Sequence, residues 1–338
     1  MLSRALLHFL FLTGAKAAWP TSYDVTHIAP DWIDPSDWRT VALRNPPAAA
    51  EIVEYRMDVL RAVPPDVIKR YTTSSSRGTA GVFSHSVSPS NETRVAGDAG
   101  HPVDLKTRDV LNGKDDRVLF SDMNWPFRAI GKWVWTKDAD RRAGFGCTAT
   151  LIGPRHLLTA RYCVDDIWSG LFMPGYDEGE RFPRAWATKI IVSDRSQLVS
   201  SCYRKQEWAI VILNRRVGDE VGYIGTLRNQ VQEKFRTLGT LTTLGYHLDT
   251  DKDCERPYRE TGITGVLAQI YLCDAAGPVR CYADVSIGAA GSPIWERDEN
   301  SEERWILGTA SFRSKLDTEY ASGNEMLAAI AIARRDWP

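Results

Sequence analysis

The 338-residue chain is 43% hydrophobic and 25% charged, enough to bury a large core in one two-lobed domain or two small ones. Its formal net charge of -1 gives neither a polybasic nor a polyacidic field, which argues against nucleic acid or an anionic membrane as partner.

The first element is a leader. Arg4 supplies a positive start, residues 5–12 an apolar stretch and Ala15-Lys16-Ala17 a small-x-small cleavage site, so residues 1–17 read as a secretory signal peptide. A buried helix is the other reading of that stretch. No other run is long and apolar enough to span a bilayer, and the six cysteines suit an oxidising compartment. A secreted, extracellular product is expected.

Residues 18–109 differ in character from residues 110–338 and read as a pro-region-like extension, partly helical and partly disordered. Within residues 47–62, Ile52, Val53, Met57 and Leu60 fall near one face at helical spacing behind a permissive proline, which predicts a short amphipathic helix. Residues 72–105 have the Ser, Thr, Gly and Ala content of a flexible linker. Lys69-Arg70, at the junction of the two, is a candidate processing site; basic pairs also occur at 141–142, 204–205, 215–216 and 334–335. Asn91-Glu92-Thr93 is a glycosylation sequon in the same linker.

From Asn112-Gly113 onward the chain consists of short hydrophobic runs broken by Gly, Pro and Asp, at 125–135, 148–158, 187–192, 208–213, 238–246, 265–272, 294–295 and 305–312. Many short strands with regular turn signals predict an all-β barrel or sandwich. Residues 326–335 are rich in Ala, Leu and Ile, and predict a final strand running into a terminal helix.

Four ordered segments carry a family likeness. Asp115-Asp116-Arg117, residues 125–132 (WPFRAIGK), residues 146–164 (GCTATLIGPRHLLTARYCV) and Gly288-Ala289-Ala290-Gly291-Ser292-Pro293 resemble the glutamyl-endopeptidase-like branch of the chymotrypsin-fold, or trypsin-like, serine proteases over residues 110–338. The resemblance implies two antiparallel six-stranded β-barrels, with boundaries near 110–222 and 223–338.

It also places the three catalytic groups of that family, and each is changed. Tyr162 stands where the family has its histidine base, Glu207 at the acid position and Ala290 at the nucleophile. A phenol is a poor base at neutral pH, and a methyl group cannot attack a carbonyl. Loss of a nucleophile costs on the order of a million-fold in turnover, about 8 kcal/mol. The expectation is therefore a pseudoprotease, a chain that is no enzyme and binds proteins or peptides along the former substrate cleft as decoy, inhibitor or scaffold. The alternative is an active secreted serine endopeptidase with a different constellation. Ser286 and Ser292 are the nearby hydroxyls, and no histidine is identified to activate them. His156, six residues before Tyr162, reads as an ordinary histidine elsewhere in the barrel. Glu207 is either a solvated acid flanking a core strand or a hydrogen-bond partner of Tyr162.

The framing residues imply more. Gly288 and Gly291 leave room for an oxyanion-type site made by the backbone N–H groups of Gly288 and Ala290. Ala289 removes the acid that captures a new N-terminus in trypsin relatives. Ala310 and Phe312 align with the specificity pocket, where they imply a narrowed or filled space. The resemblance pairs Cys147 with Cys163, a bridge contributing about 3 kcal/mol by chain entropy. Cys202, Cys254, Cys273 and Cys281 allow three pairings; a zinc site is the other reading, but no Cys-x-x-Cys knuckle occurs among them. With no metal, nucleotide or flavin motif, no cofactor is expected.

Overall fold

The computed structural model describes residues 49–80, 110–111, 113–137, 145–196, 203–226, 236–251, 254–267, 277–297, 303–314 and 317–338. The expected signal peptide, Asn91, Cys202 and Cys273 lie outside these residues.

The first described elements are strand β1 (Glu51–Tyr55) and helices α1 (Met57–Arg61) and α2 (Pro65–Thr72). This differs from the single helix expected over 47–62. Ile52, Val53 and Tyr55 are β-branched or aromatic and pair in parallel register with a strand more than 130 residues away, a ladder that local helical spacing cannot reveal. Helix begins only after Arg56, whose backbone is extended. α2 starts with Pro65 at its first turn, where the missing N–H costs nothing, and ends with Lys69 and Arg70 in its last turn. The basic pair thus lies within a helix. Nor is residue 72 the start of a loose linker: Thr72 is fully buried, and Ser76 bridges to Tyr223.

After β2 (Val118–Leu119) come β3 (Ile130–Thr136), β4 (Phe145–Gly153), β5 (His156–Ala160), β6 (Ser169–Pro174), β7 (Ala185–Ser193) and β8 (Trp208–Leu213). The last six form an antiparallel barrel in the order β7-β6-β3-β4-β5-β8, closed by the β7–β8 pairing, with β1 added alongside β7. A short helix α3 (Gly218–Val221) and β9 (Gly225–Thr226) lead to β10 (Arg236–Tyr246), β11 (Pro257–Leu267), β12 (Val279–Cys281), β13 (Pro293–Arg297), β14 (Arg304–Arg313) and β15 (Thr318–Ala321). These six close a second antiparallel barrel in the order β10-β13-β14-β15-β12-β11; β2 pairs with β11 and β9 with β14. The chain returns as helix α4 (Asn324–Asp336), where the sequence suggests a strand running into a helix.

β8, Trp-Ala-Ile-Val-Ile-Leu, is buried at every position because α4 packs on it from outside while its other face fills the barrel. A strand covered on both faces shows a continuous apolar run, and that is what the sequence displays. α4 buries every residue from Glu325 to Ala333. The buried carboxylate of Glu325 sits 3.3 Å from Lys205 and 3.3 Å from Arg61; burial works against its charge, but these two cations hold its pKa below the ordinary value. His156 belongs to this packing. It is fully buried, with its Nε2 3.2 Å from the Ala333 carbonyl and 3.0 Å from that of Trp337. Burial and the Arg334 charge push its pKa down to about 4.

The disulfide between Cys147 on β4 and Cys163 in the short turn Arg161–Val164 is present. Cys254 and Cys281 are buried and form no disulfide among the described residues.

Candidate functional site

The turn that follows β5 carries Tyr162, the residue before β8 is Glu207, and the loop before β13 carries Ala290. Backbone bonds bring these segments together at the junction of the barrels. Thr148 N–H donates to the Ala290 carbonyl at 2.8 Å, Cys163 Sγ lies 3.9 Å from the same oxygen, and Arg161 N–H donates to the Glu207 carbonyl at 3.1 Å. The segments that carry the three aligned positions therefore lie against one another.

Their side chains do not form a relay. The Tyr162 hydroxyl is buried with no hydrogen-bond partner, and desolvation raises its pKa, so it stays protonated. Glu207 forms an ion pair with Arg195. The hydrogen bond between Glu207 and Tyr162, one of the two expectations for that acid, is thus not made.

The turn at 288–292 is tightly held. Gly288 and Gly291 adopt φ +86° and +84°, a region that disfavours any side chain. A Cβ on Gly291 would lie 2.1 Å from the Thr148 carbonyl oxygen, and one on Gly288 would lie 2.7 Å from Cys254 Sγ. Thr148 Oγ1 donates to the Gly288 carbonyl at 3.0 Å and accepts from Tyr246 N–H at 3.1 Å, tying the turn to both barrels. Ala310 on β14 is fully buried, with its N–H on the Ser292 carbonyl and its carbonyl on the Gly291 N–H, both 2.8 Å. Phe312 lies under the Arg204 guanidinium, 4.0 Å from ring centroid to charge, so the strand aligned with the specificity pocket is capped from the first barrel.

A second cluster lies beyond what the sequence motifs indicate. His247, one residue past β10, points its Nδ1 at Ser286 Oγ, 3.4 Å away; Ser286 lies in the loop between β12 and β13. Asp249 lies beside this pair, held by two hydrogen bonds from Arg117. Ser286 Oγ also lies 3.3 Å from the Ile287 carbonyl. Arg117 closes the cluster from the segment before β2. Its Nη1 reaches His247 Nδ1 at 3.0 Å and Asp249 at 2.8 Å, its Nη2 reaches the other Asp249 oxygen at 2.9 Å, and Asp115 accepts from its Nε at 2.9 Å. A guanidinium has no lone pair, so Nδ1 must be the acceptor and the ring proton sits on Nε2.

The electrostatics follow from burial. Desolvation, reinforced by Arg117, pushes His247 down to about 3 and keeps the ring neutral. Desolvation also opposes the Asp249 charge, but Arg117 outweighs it and holds the carboxyl down at about 2. Next to this group, burial pushes Asp284 up to about 6 and Glu260 up to about 8. Asp284 accepts N–H bonds from Leu111 at 2.6 Å and Asp116 at 3.4 Å, so the 110–117 segment is docked by a carboxylate six residues before Ala290, while Ala289 itself is buried.

The signal for this cluster is present in part. Ser286 is one of the two hydroxyls near the aligned nucleophile position, and Gly245-Tyr246-His247-Leu248-Asp249 places a histidine and an acid two apart after a strand. Nothing local says that residues 247 and 286 meet. Among the described residues, no three His, Cys, Asp or Glu side chains are grouped to hold a metal ion.

No protein-family model matches the chain, and no curated protein matches it. Solved structures do. The chain is similar to a Glu endopeptidase at 20% identity over 67% of this chain and 99% of that one, with a TM-score of 0.51. It is also similar to AL20, a thermostable serine protease from an extremophilic microorganism (15% identity, 60% and 96% covered, TM-score 0.47), and to the protease Anisep from Arthrobacter nicotinovorans (14%, 64% and 99%, 0.47). The two closed six-stranded barrels are the fold of trypsin-like serine proteases. The expectation that the chain is no enzyme is corrected on this finding: the chain shares its fold with a Glu endopeptidase, and changes at three aligned positions do not show that activity is lost.

Proposed function

We propose that the chain is a secreted serine endopeptidase of the double-barrel fold, acting on protein or peptide chains. Its attacking group cannot be the methyl of Ala290. The observation that carries the reading is the contact of Ser286 Oγ with His247 Nδ1 at 3.4 Å, with Asp249 in the same cluster. The hydroxyl supplies the nucleophile, the neutral imidazole accepts its proton, and Asp249 offsets the positive charge that develops on the ring. Arg117 competes for the same Nδ1 lone pair, so this arrangement is a resting state. Withdrawal of Arg117 frees the lone pair and removes the smaller of the two influences that lower the histidine pKa, burial being the larger, so the ring becomes a stronger base.

A fluorophosphonate probe tests this directly. Attack by Ser286 Oγ forms an oxygen–phosphorus bond, fluoride leaves, and His247 takes the proton. The expected result is an adduct on Ser286, mapped by mass spectrometry, that is lost in Ser286→Ala and His247→Gln and grows faster in Arg117→Gln. An adduct on Ser292 would overturn the constellation. No adduct on folded wild type or folded Arg117→Gln would overturn the enzyme reading.

A further inference from the structure

The sequence suggests that the N-terminal extension is released at Lys69-Arg70, and the contacts of residues 49–80 argue otherwise. All five residues of β1 pair with β7, from Glu51 with Lys189 to Tyr55 with Ser193. Met57 and Leu60 of α1 and Ile68 and Thr72 of α2 are buried, and both helices pack on α4. Polar anchors fix each part in turn. Arg61 binds Glu325, Arg334 Nη2 donates to Ser74 Oγ at 2.6 Å, and Ser76 exchanges backbone bonds of 3.0 and 2.8 Å with Tyr223. Arg128, itself buried, donates from Nη2 to the carbonyls of Arg77 at 2.6 Å and Ala80 at 2.9 Å. Departure of the segment would cost Arg128 both of these charge-assisted bonds.

The proposed cleavage point is itself part of the packing. A protease reads an extended stretch of substrate, whereas Lys69 and Arg70 sit in α2, between buried Ile68 and buried Thr72. The Lys69 carbonyl accepts from Thr73 Oγ1 at 2.9 Å, and the Thr72 carbonyl from Thr226 Oγ1 at 3.3 Å. Cutting there requires α2 to unwind from α4. The segment also reaches the candidate site. Glu54 accepts from Arg161 Nη2 at 3.1 Å, Arg161 donates to the Ser193 carbonyl, and Asp194 N–H donates to the Tyr55 carbonyl at 2.7 Å, so β1 braces the turn that carries Tyr162 and Cys163.

We infer that residues 49–80 are a retained clamp that adds a strand alongside the closed first barrel and braces its Arg161–Val164 turn, and that they stay bound after any cut between residues 81 and 109. The proposal is independent of which residue attacks substrate.

The experiment uses the full chain with one specific protease sequence inserted between residues 81 and 109. After complete cutting, the two pieces are expected to co-elute in size exclusion at the mass of the uncut protein and to separate only in denaturant. In the same cut protein, Leu60→Asp is expected to release the N-terminal piece and to lower the melting temperature of the remainder. Cleavage at Lys69-Arg70 by a basic-pair protease is expected to be at least about tenfold slower than at the inserted site, because it waits on local unfolding. Separation of the wild-type pieces under native conditions would overturn the inference. So would rapid cutting after Arg70 that sheds residues 49–70 and leaves the melting temperature unchanged.

Discussion

The two barrels are built on one plan and filled differently. The first holds a dry core of Trp133, Phe172, Trp208 and Ile210, all fully buried, extended outward by α4 and the N-terminal clamp. The second has a smaller apolar cluster around Leu241, Ile294 and Tyr320, and places Arg117, Asp249, His247, Glu260 and Asp284 against it. Apolar packing tolerates small losses, because each methylene contributes separately. A buried charge network does not, because removing one member leaves its partners charged, desolvated and unpaired. Both halves bury groups whose protonation is set by their surroundings, but the Ser286–His247 contact proposed for chemistry lies in the second barrel.

The largest predicted effect tests this contrast. Arg117→Met strips Asp115 and Asp249 of their cation and should cost about 3–5 kcal/mol in urea unfolding, whereas Ile210→Val in the first barrel should cost only about 0.5–1.5 kcal/mol. Equal losses would erase the distinction. Replacing Cys147 and Cys163 together by alanine should cost about 3 kcal/mol from the first barrel, read as a lower melting temperature while Arg117-dependent properties persist.

The pH profile sharpens the comparison. Glu260 stands at about 8 in the fold against 4.5 when unfolded, so its contribution is full below pH 4.5 and is lost as pH rises through 8. Between pH 6.5 and 8 stability should fall by up to about 2 kcal/mol, and Glu260→Gln should flatten that limb. His156 and His247, at about 4 and 3, carry the opposite sign: the neutral rings stabilise the fold above pH 6.5, and that contribution is lost as pH falls toward 4 and then 3. The smallest expected effect is at Tyr162. Its buried hydroxyl has no partner, so Tyr162→Phe should leave stability unchanged or raise it by up to about 1 kcal/mol in the same urea assay. A loss greater than that would mean the hydroxyl is bonded after all.

What could be read from the sequence depended on how local each signal is. β8 announces itself as a continuous apolar run, and the Cys147–Cys163 bridge came with a recognisable motif. β11 did not, because its first half, with Arg259, Glu260 and Thr261, lies before the apolar run read from 265 onward; buried Glu260 accepts the Asp284 N–H from another loop. β1 looked helical because four apolar residues fit one face, and its true partner is β7. The Ser286–His247 contact joins residues 39 apart that only barrel closure brings together. The aligned triad positions were legible as positions, and the partners of their side chains, Arg195 for Glu207 above all, were not.

α4 has a consequence for how the chain is made. It covers β8, holds Glu325 between Lys205 and Arg61, and supplies the two carbonyls that face His156. On the ribosome, N-terminal domains ordinarily fold before later ones emerge. Here the first barrel is synthesised early but waits for residues 324–337, translated after the whole second barrel. Until then β8 presents an apolar strip and Lys205 lacks its carboxylate. Emergence of α4, rather than of the first barrel's own strands, is the event that completes both halves together.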